Sequence, residues 1–189
     1  ASALLSSDNS VFQQLTLDVG PDKVIQTAYD MGIPKARDLP DVASIGLGSG
    51  EVTPLDMATA YSALSNGGYR VAPLAISKIV KPNGEVDTFA PERDRALTDG
   101  EAYEVTRILQ NNMTGGTGTT ANIGVPAGGK TGTTSDFVDA WFVGYTPKYS
   151  TAVWVGYPNS GGVKQYMTSV HGISVSGSTF PSQIWHDFM

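Results

Sequence analysis

Lys130-Thr131-Gly132-Thr133-Thr134-Ser135-Asp136-Phe137-Val138-Asp139-Ala140-Trp141-Phe142-Val143-Gly144-Tyr145 is the stretch on which the architecture turns. It enters as a glycine-preceded strand, crosses a polar turn, and returns through the apolar run Asp139 to Tyr145. A second run, Thr151 to Tyr157, follows after Thr146-Pro147-Lys148-Tyr149-Ser150. Both runs are short and apolar at nearly every position, which predicts strands buried on both faces.

Helical signals dominate upstream. Leu4, Leu5, Val11, Phe12, Leu15 and Leu17 predict helix on either side of a break at Ser7-Asp8-Asn9. Gly20-Pro21 separates this from a helix over Asp22 to Met31, with Gly32 as its C-cap. Thr53-Pro54-Leu55-Asp56 combines a hydroxyl N-cap, a proline at the first helical position and an acid in the first turn. Met57, Ala58, Tyr61, Ala63 and Leu64 supply its apolar face, and Asn66-Gly67-Gly68 stops it. Tyr69 to Val80 reads as one strand, and Pro82-Asn83-Gly84-Glu85 as a hairpin turn leading back through Phe89. Thr98-Asp99-Gly100-Glu101 is a capping box for a helix through Met113. The tail from Phe180-Pro181 predicts a last short helix. The expected fold is α+β, an antiparallel sheet flanked by helices on both faces.

Composition narrows the function classes. A chain of 189 residues with 40% hydrophobic content holds one buried domain. A net charge of −6 and no basic run argue against nucleic acid as a partner. The absence of cysteine excludes a thiol nucleophile, a disulfide and a thiolate metal site. Two isolated histidines, His171 and His186, do not make a metal centre, so neither metal nor cofactor is expected. No apolar run reaches the ~18 residues of a membrane helix.

Two motifs carry chemistry. Ser7-Asp8-Asn9 places a hydroxyl and a carboxamide two positions apart at a break between helices; such triplets also cap helices with no further role. Lys130-Thr131-Gly132-Thr133 places a lysine and two hydroxyls beside a glycine on a strand. There Lys130 and Gly132 face one side and Thr131 and Thr133 the other. The strand edge, with Gly132 lacking a side chain and the Thr133 N–H pointing outward, suits an extended peptide added as a further strand. Serine acyl transfer needs a nucleophile, a proton shuttle, oxyanion donors and a substrate grip, and these motifs supply part of that set. Among the other polar and aromatic residues, Trp141, Trp154, Tyr61 and Tyr69 read as packing. Asp136 and Asp139 read as ordering or solvated groups. The glycines from Gly115 to Gly118 lack the Lys-Ser/Thr of a phosphate loop and read as a flexible rim.

Lys130 through Pro147, with Gly46-Leu47-Gly48, Glu51-Val52-Thr53-Pro54-Leu55-Asp56-Met57-Ala58, Gly116-Thr117-Gly118-Thr119 and Ser7-Asp8-Asn9-Ser10-Val11-Phe12, resembles the transpeptidase domain of class A, bifunctional penicillin-binding proteins. The resemblance runs essentially end to end. It implies a fold like the serine β-lactamases and penicillin-binding transpeptidases. It also implies serine acyl transfer on the D-Ala-D-Ala end of peptidoglycan stem peptides, with covalent inhibition by β-lactam antibiotics. Carried onto this sequence, Ser7 and Lys130 become catalytic, as a proton relay and its holder. Asn9 becomes a ligand of the substrate amide. The Thr131 and Thr133 hydroxyls hold the terminal carboxylate, the Thr133 N–H gives one oxyanion donor, and Gly132 belongs to the substrate site by letting the ligand approach. The family also implies a glycosyltransferase domain, a membrane anchor and work on the extracytoplasmic face of the bacterial membrane.

One family motif is missing from these residues. No serine has a lysine three positions on; Ser77 is followed by Val80 and Ser160 by Val163. The expectation is that residues 1–189 are the C-terminal portion of one transpeptidase domain whose nucleophile lies upstream. It would sit either on a longer polypeptide that has been shortened or on an upstream fragment of the same domain present as a separate chain. Related readings are a D,D-carboxypeptidase or β-lactamase, or a penicillin-binding sensor without turnover.

Overall fold

The computed structural model describes residues 1–158 and 162–189; Ser160 lies outside them. In chain order the elements are α1 (Ser2–Leu5), α2 (Asn9–Val19), α3 (Pro21–Met31), α4 (Pro54–Ser65), β1 (Tyr69–Val71), β2 (Lys78–Val80), β3 (Val86–Thr88), β4 (Arg93–Arg95), α5 (Asp99–Gly115), β5 (Gly128–Thr133), β6 (Asp139–Tyr145), β7 (Ser150–Gly156) and α6 (Phe180–Phe188). No helix among the described residues is long and apolar enough to cross a membrane.

Two reciprocal caps fix the helices that carry the sheet. At α4 the Asp56 N–H donates to the Thr53 hydroxyl at 3.2 Å, and the Thr53 N–H donates to the Asp56 carboxylate at 2.8 Å. At α5 the same pairing joins Thr98 and Glu101. Both were legible as polar residues three positions apart ahead of an apolar face. What sequence spacing does not reveal is Arg37, whose Nε donates to the buried Asp56 carboxylate at 2.7 Å. Burial raises the Asp56 pKa, but the Thr53 hydrogen bonds and the Arg37 guanidinium outweigh it and hold the carboxyl below its ordinary 3.8.

β5, β6 and β7 form an antiparallel sheet in that order, with Lys130 opposite Val143, Thr131 opposite Phe142 and Gly132 opposite Trp141. One face packs on α6. Phe142 and Trp185 are fully buried there, edge to face at 5.3 Å between centroids, and the Trp185 indole N–H donates to the Thr151 carbonyl. Gly129 and Gly144 are cross-strand partners beneath these rings. A Cβ at Gly129 would lie 2.6 Å from Phe142, and one at Gly144 would lie 2.9 Å from Trp185. The glycines are therefore the slot into which the rings fit. The other face packs on α4 and α5 through Tyr145, Leu64 and Leu109, and the Ser150 hydroxyl donates to the Ala58 carbonyl at 2.7 Å. The α+β arrangement with helices on both faces follows.

Two expectations need correction. β7 is not buried on both faces: its residues are partly exposed, and Trp154 keeps 38% of its surface. The Trp154 indole N–H donates to the Asp139 carboxylate at 2.9 Å, and its ring leans on Trp141 at the far end of the sheet. This aromatic pair satisfies a polar handle near solvent instead of filling a core. Tyr69 to Val80 is also not one strand. It divides at Ala72-Pro73, where proline removes a ladder donor. β1 pairs with β4, bringing Arg93 and Arg95 onto the Tyr69 ring, and β2 pairs with β3 across the expected hairpin turn.

Replacing Asp56 by Asn keeps the shape and removes the charge that Arg37 and Thr53 hold. We expect a loss of about 1–3 kcal/mol at neutral pH in urea unfolding. Because the folded pKa is depressed, the carboxylate stabilises the fold above the ordinary value of 3.8, and this contribution is lost as pH falls through the lower folded value. The gap between wild type and Asp56→Asn should therefore close in acid. A constant gap down to strongly acidic pH would contradict the assignment.

Candidate active site

Two elements far apart in sequence meet at the β5 edge. The first is the turn between α1 and α2. The Ser7 N–H donates to the Leu4 carbonyl and the Asp8 N–H to the Ala3 carbonyl at 2.9 Å, the paired bonds of a Schellman turn. That turn places Ser7 at φ 53, a left-handed conformation usually given to glycine. Asp8 then caps α2, accepting from the Ser10 and Val11 N–H groups. The result is a serine hydroxyl on a tight corner. Asn9, at the first position of α2, is exposed, and its side chain makes no hydrogen bond among the described residues.

The second element is β5. The carbonyls of Gly129 and Thr131 accept from side chains, Asn112 Nδ2 at 2.9 Å and Lys130 Nζ at 2.9 Å. Both carbonyls therefore face away from β6, and the two-residue period turns the Thr133 N–H and carbonyl the same way. On the β6 side the next residue, Thr134, donates its N–H to the Asp139 carbonyl. Thr133 is exposed.

Lys130 wraps around this edge and closes the site. Its Nζ donates to the Ser7 hydroxyl at 2.8 Å, across 123 positions of sequence, and also reaches the Thr131 hydroxyl at 3.4 Å. Desolvation alone pulls its pKa down to about 8. An ammonium has no acceptor, so while Lys130 is charged the Ser7 oxygen accepts and its own proton is free to point into the cleft. A lysine poised near neutrality can hold or release a proton during a reaction.

Three contributors escaped the sequence reading. The glycine loop is not a flexible rim: the Gly116 and Gly118 N–H groups donate to the Asn112 carbonyl, and the Thr117 N–H donates to both Asn112 Oδ1 and the Leu5 carbonyl. Asn112 is fully buried, and the Thr117 and Thr131 hydroxyls lie 2.7 Å apart. Gly177, from the segment before α6, stacks against β5 and donates its N–H to the Thr133 hydroxyl at 3.0 Å. A Cβ there would lie 2.4 Å from the Trp141 carbonyl oxygen and 2.6 Å from that of Gly132. A polar residue on the buried face of α5 near its C-terminal end, beside Leu109 and Met113, was the one available signal for Asn112.

The transpeptidase domain of penicillin-binding proteins matches this chain over residues 1–180. The chain belongs to that family. Penicillin-binding protein 1A of Aquifex aeolicus is 37% identical, aligned over 99% of this chain and 24% of the relative. Penicillin-binding protein 1A of Neisseria lactamica is 35% identical over 99% of this chain and 23% of its own length. The chain thus spans about a quarter of these class A relatives. Among solved structures, that of the PonA1 protein from Mycobacterium tuberculosis in complex with penicillin V superposes with a TM-score of 0.86 at 31% identity, covering 98% of this chain and 54% of that one. Penicillin-binding protein 1A from Haemophilus influenzae shares the fold, with a TM-score of 0.82 at 21% identity.

The left-handed corner at Ser7 makes a prediction within this penicillin-binding domain. Ser7→Gly and Ser7→Ala both remove the hydroxyl, so their difference isolates the backbone. Glycine should be more stable than alanine by about 1 kcal/mol in thermal melts. Equal midpoints would show an unstrained turn.

Proposed function

We propose that this chain is the substrate-gripping and proton-relaying portion of a D,D-transpeptidase that cross-links peptidoglycan stem peptides. The observation that carries the proposal is the short contact of Lys130 Nζ with the Ser7 hydroxyl beside an open strand edge. An extended peptide ending in D-Ala-D-Ala would lie along β5, pairing with the outward Thr133 N–H and carbonyl. Thr133 already accepts from the Gly177 N–H, so its own proton is free to donate to the terminal carboxylate. Thr131 lies deeper, in contact with Thr117 and Lys130, and supports that grip from below. Gly132 keeps the approach free of a side chain, and the Asn9 side chain, exposed and without a partner among the described residues, is suited to the substrate amide carbonyl.

In the reaction the attacking serine gives its proton to the lysine of its own segment as its oxygen bonds to the penultimate D-Ala carbonyl carbon. The amide C–N bond then breaks, the leaving amine takes the Ser7 proton, and Ser7 regains one from Lys130. An amine from a neighbouring stem peptide then bonds to the acyl carbon and gives a proton to the Ser7–Lys130 relay, while the acyl–oxygen bond breaks and the serine oxygen recovers its proton from its own lysine. The Thr133 N–H is one oxyanion donor. The attacking serine and its lysine are supplied by a Ser-x-x-Lys segment, since residues 1–189 contain none. That segment, a glycosyltransferase domain and an extracytoplasmic membrane anchor belong on this reading to the longer protein. β-Lactams enter the same cleft as mimics of the terminal dipeptide.

Two measurements check the proposal. In the domain completed by its nucleophile segment, Lys130→Ala should abolish covalent labelling by a fluorescent penicillin; labelling at the wild-type rate would remove Lys130 from the mechanism. Residues 1–189 alone, incubated with penicillin, should gain no covalent mass. A stable adduct of one drug molecule would place the nucleophile inside this chain.

A further inference from the structure

We propose that Asn112 and Thr117, which reach no substrate, are positioning residues for acyl transfer: the buried Asn112 amide fixes the sense of a hydrogen-bond chain that runs through Thr117 and Thr131 to Lys130. The inference rests on the transpeptidase reading and extends it to residues behind the cleft.

The orientation of the Asn112 amide is fixed by two backbone partners of opposite polarity. Its nitrogen must face the Gly129 carbonyl at 2.9 Å, and its oxygen must face the Thr117 N–H at 3.1 Å. A flipped amide would set donor against donor and acceptor against acceptor in a fully buried site, the arrangement that costs most. The loop leaves it no room to swing. A Cβ at Gly116 would lie 2.2 Å from Asn112 Oδ1, and one at Gly118 would lie 2.9 Å from Nδ2. Only glycines allow the backbone this close.

The fixed oxygen dictates the hydroxyls. Asn112 Oδ1 cannot donate, and the Thr117 hydroxyl lies 3.4 Å from it, so Thr117 gives its proton there. The Thr117 oxygen then accepts from Thr131 at 2.7 Å, and the Thr131 oxygen accepts from Lys130 Nζ at 3.4 Å. Each group in the row donates away from the lysine. The three protons of the Lys130 ammonium consequently meet three acceptors, the Ser7 hydroxyl, the Thr131 carbonyl and the Thr131 hydroxyl.

This device also holds the two walls in register. The Thr117 N–H that bonds Asn112 also donates to the Leu5 carbonyl, two residues before Ser7. One residue thereby touches the helix that leads into the Ser7 corner and the strand that carries Lys130. The groups facing the lysine nitrogen are neutral: the Ser7 hydroxyl from the α1–α2 turn, and the Thr131 hydroxyl and carbonyl from β5. The Asp8 carboxylate, beside Ser7 in sequence, is engaged in the α2 cap, and that of Asp139 on β6 accepts from Thr134 and Trp154. Among the described residues no charged side chain pairs with Lys130, and burial is what pulls its pKa down to about 8. An acceptor at Thr131 favours the charged lysine and a donor there would not, so the sense of the row bears on how readily Lys130 keeps its proton against the burial that pulls its pKa down.

The test uses the domain completed by its nucleophile segment and follows acylation by a fluorescent penicillin across pH. Thr117→Val removes the hydroxyl and keeps both backbone bonds. Without that acceptor, Thr131 is free to turn its proton toward the lysine, which favours the neutral amine. We expect acylation to slow about tenfold and the inflection of its pH profile that belongs to Lys130 to move to lower pH. Thr117→Ser should restore both. Thermal melts check folding, and where valine does not fit beside Leu5 the smaller Thr117→Ala reads the same loss. A wild-type rate and inflection in Thr117→Val overturn the inference. So does a slower rate with an unmoved inflection, or a loss that serine does not recover. Failure of the wild type itself to label would instead count against the transpeptidase reading.

Discussion

An edge strand has one row of backbone groups with no ladder to join, and the rest of this structure is arranged around how β5 disposes of that row. The Gly129 carbonyl accepts from the buried Asn112 side chain, the Thr131 carbonyl accepts from Lys130, and Thr133 is left exposed to solvent. Closed at one end and open at the other, the strand offers a short, defined length of edge. A long unblocked edge would pair with any strand that met it. Here the blocking groups are also the site's own: the amide that satisfies Gly129 shapes the glycine loop, and the lysine that satisfies Thr131 is the one that reaches Ser7. Structural satisfaction and the proposed chemistry are served by the same hydrogen bonds.

Behind the edge, position is set by packing that leaves little freedom. Phe142 and Trp185 occupy the space over Gly129 and Gly144, so β5 cannot shift along β6 without driving a ring into backbone. Gly177 presses on Gly132 from the same face and grips the Thr133 hydroxyl. On the other face Tyr145 binds the sheet to α4 and α5. Small residues at these positions are what let large ones be placed exactly where a strand must not move by even one register.

Local physics made much of this readable. The capping boxes at Thr53 and Thr98, the break at Ser7-Asp8-Asn9 and the paired strands 139–145 and 150–156 all depend on residues within a few positions of one another. The alternation along Lys130 to Thr133 held as well, which is why the site's outward edge was legible. What failed depended on distant partners. Trp154 looked like core because its own strand is apolar, but its indole follows an aspartate on the neighbouring strand. The stretch from Tyr69 reads as one strand by its apolar residues, but its two ends pair with different partners, β4 and β3. The glycines before Thr119 looked mobile because nothing in their own sequence reveals Asn112 beneath them.

The left-handed corner at Ser7 gives that last point its weight. Glycine would occupy the corner without strain, yet only a side chain can meet Lys130. A strained residue holds its place only if its surroundings define it more firmly than its own preference resists, and α1 is too short to do so by itself. The firmness comes from the far side of the chain. Thr117 takes hold of Leu5, Asn112 takes hold of Thr117, and α5 carries Asn112 against the sheet. The Ser7 hydroxyl is thus aimed by a helix roughly a hundred residues away in sequence, and the two walls of the cleft are one mechanical unit.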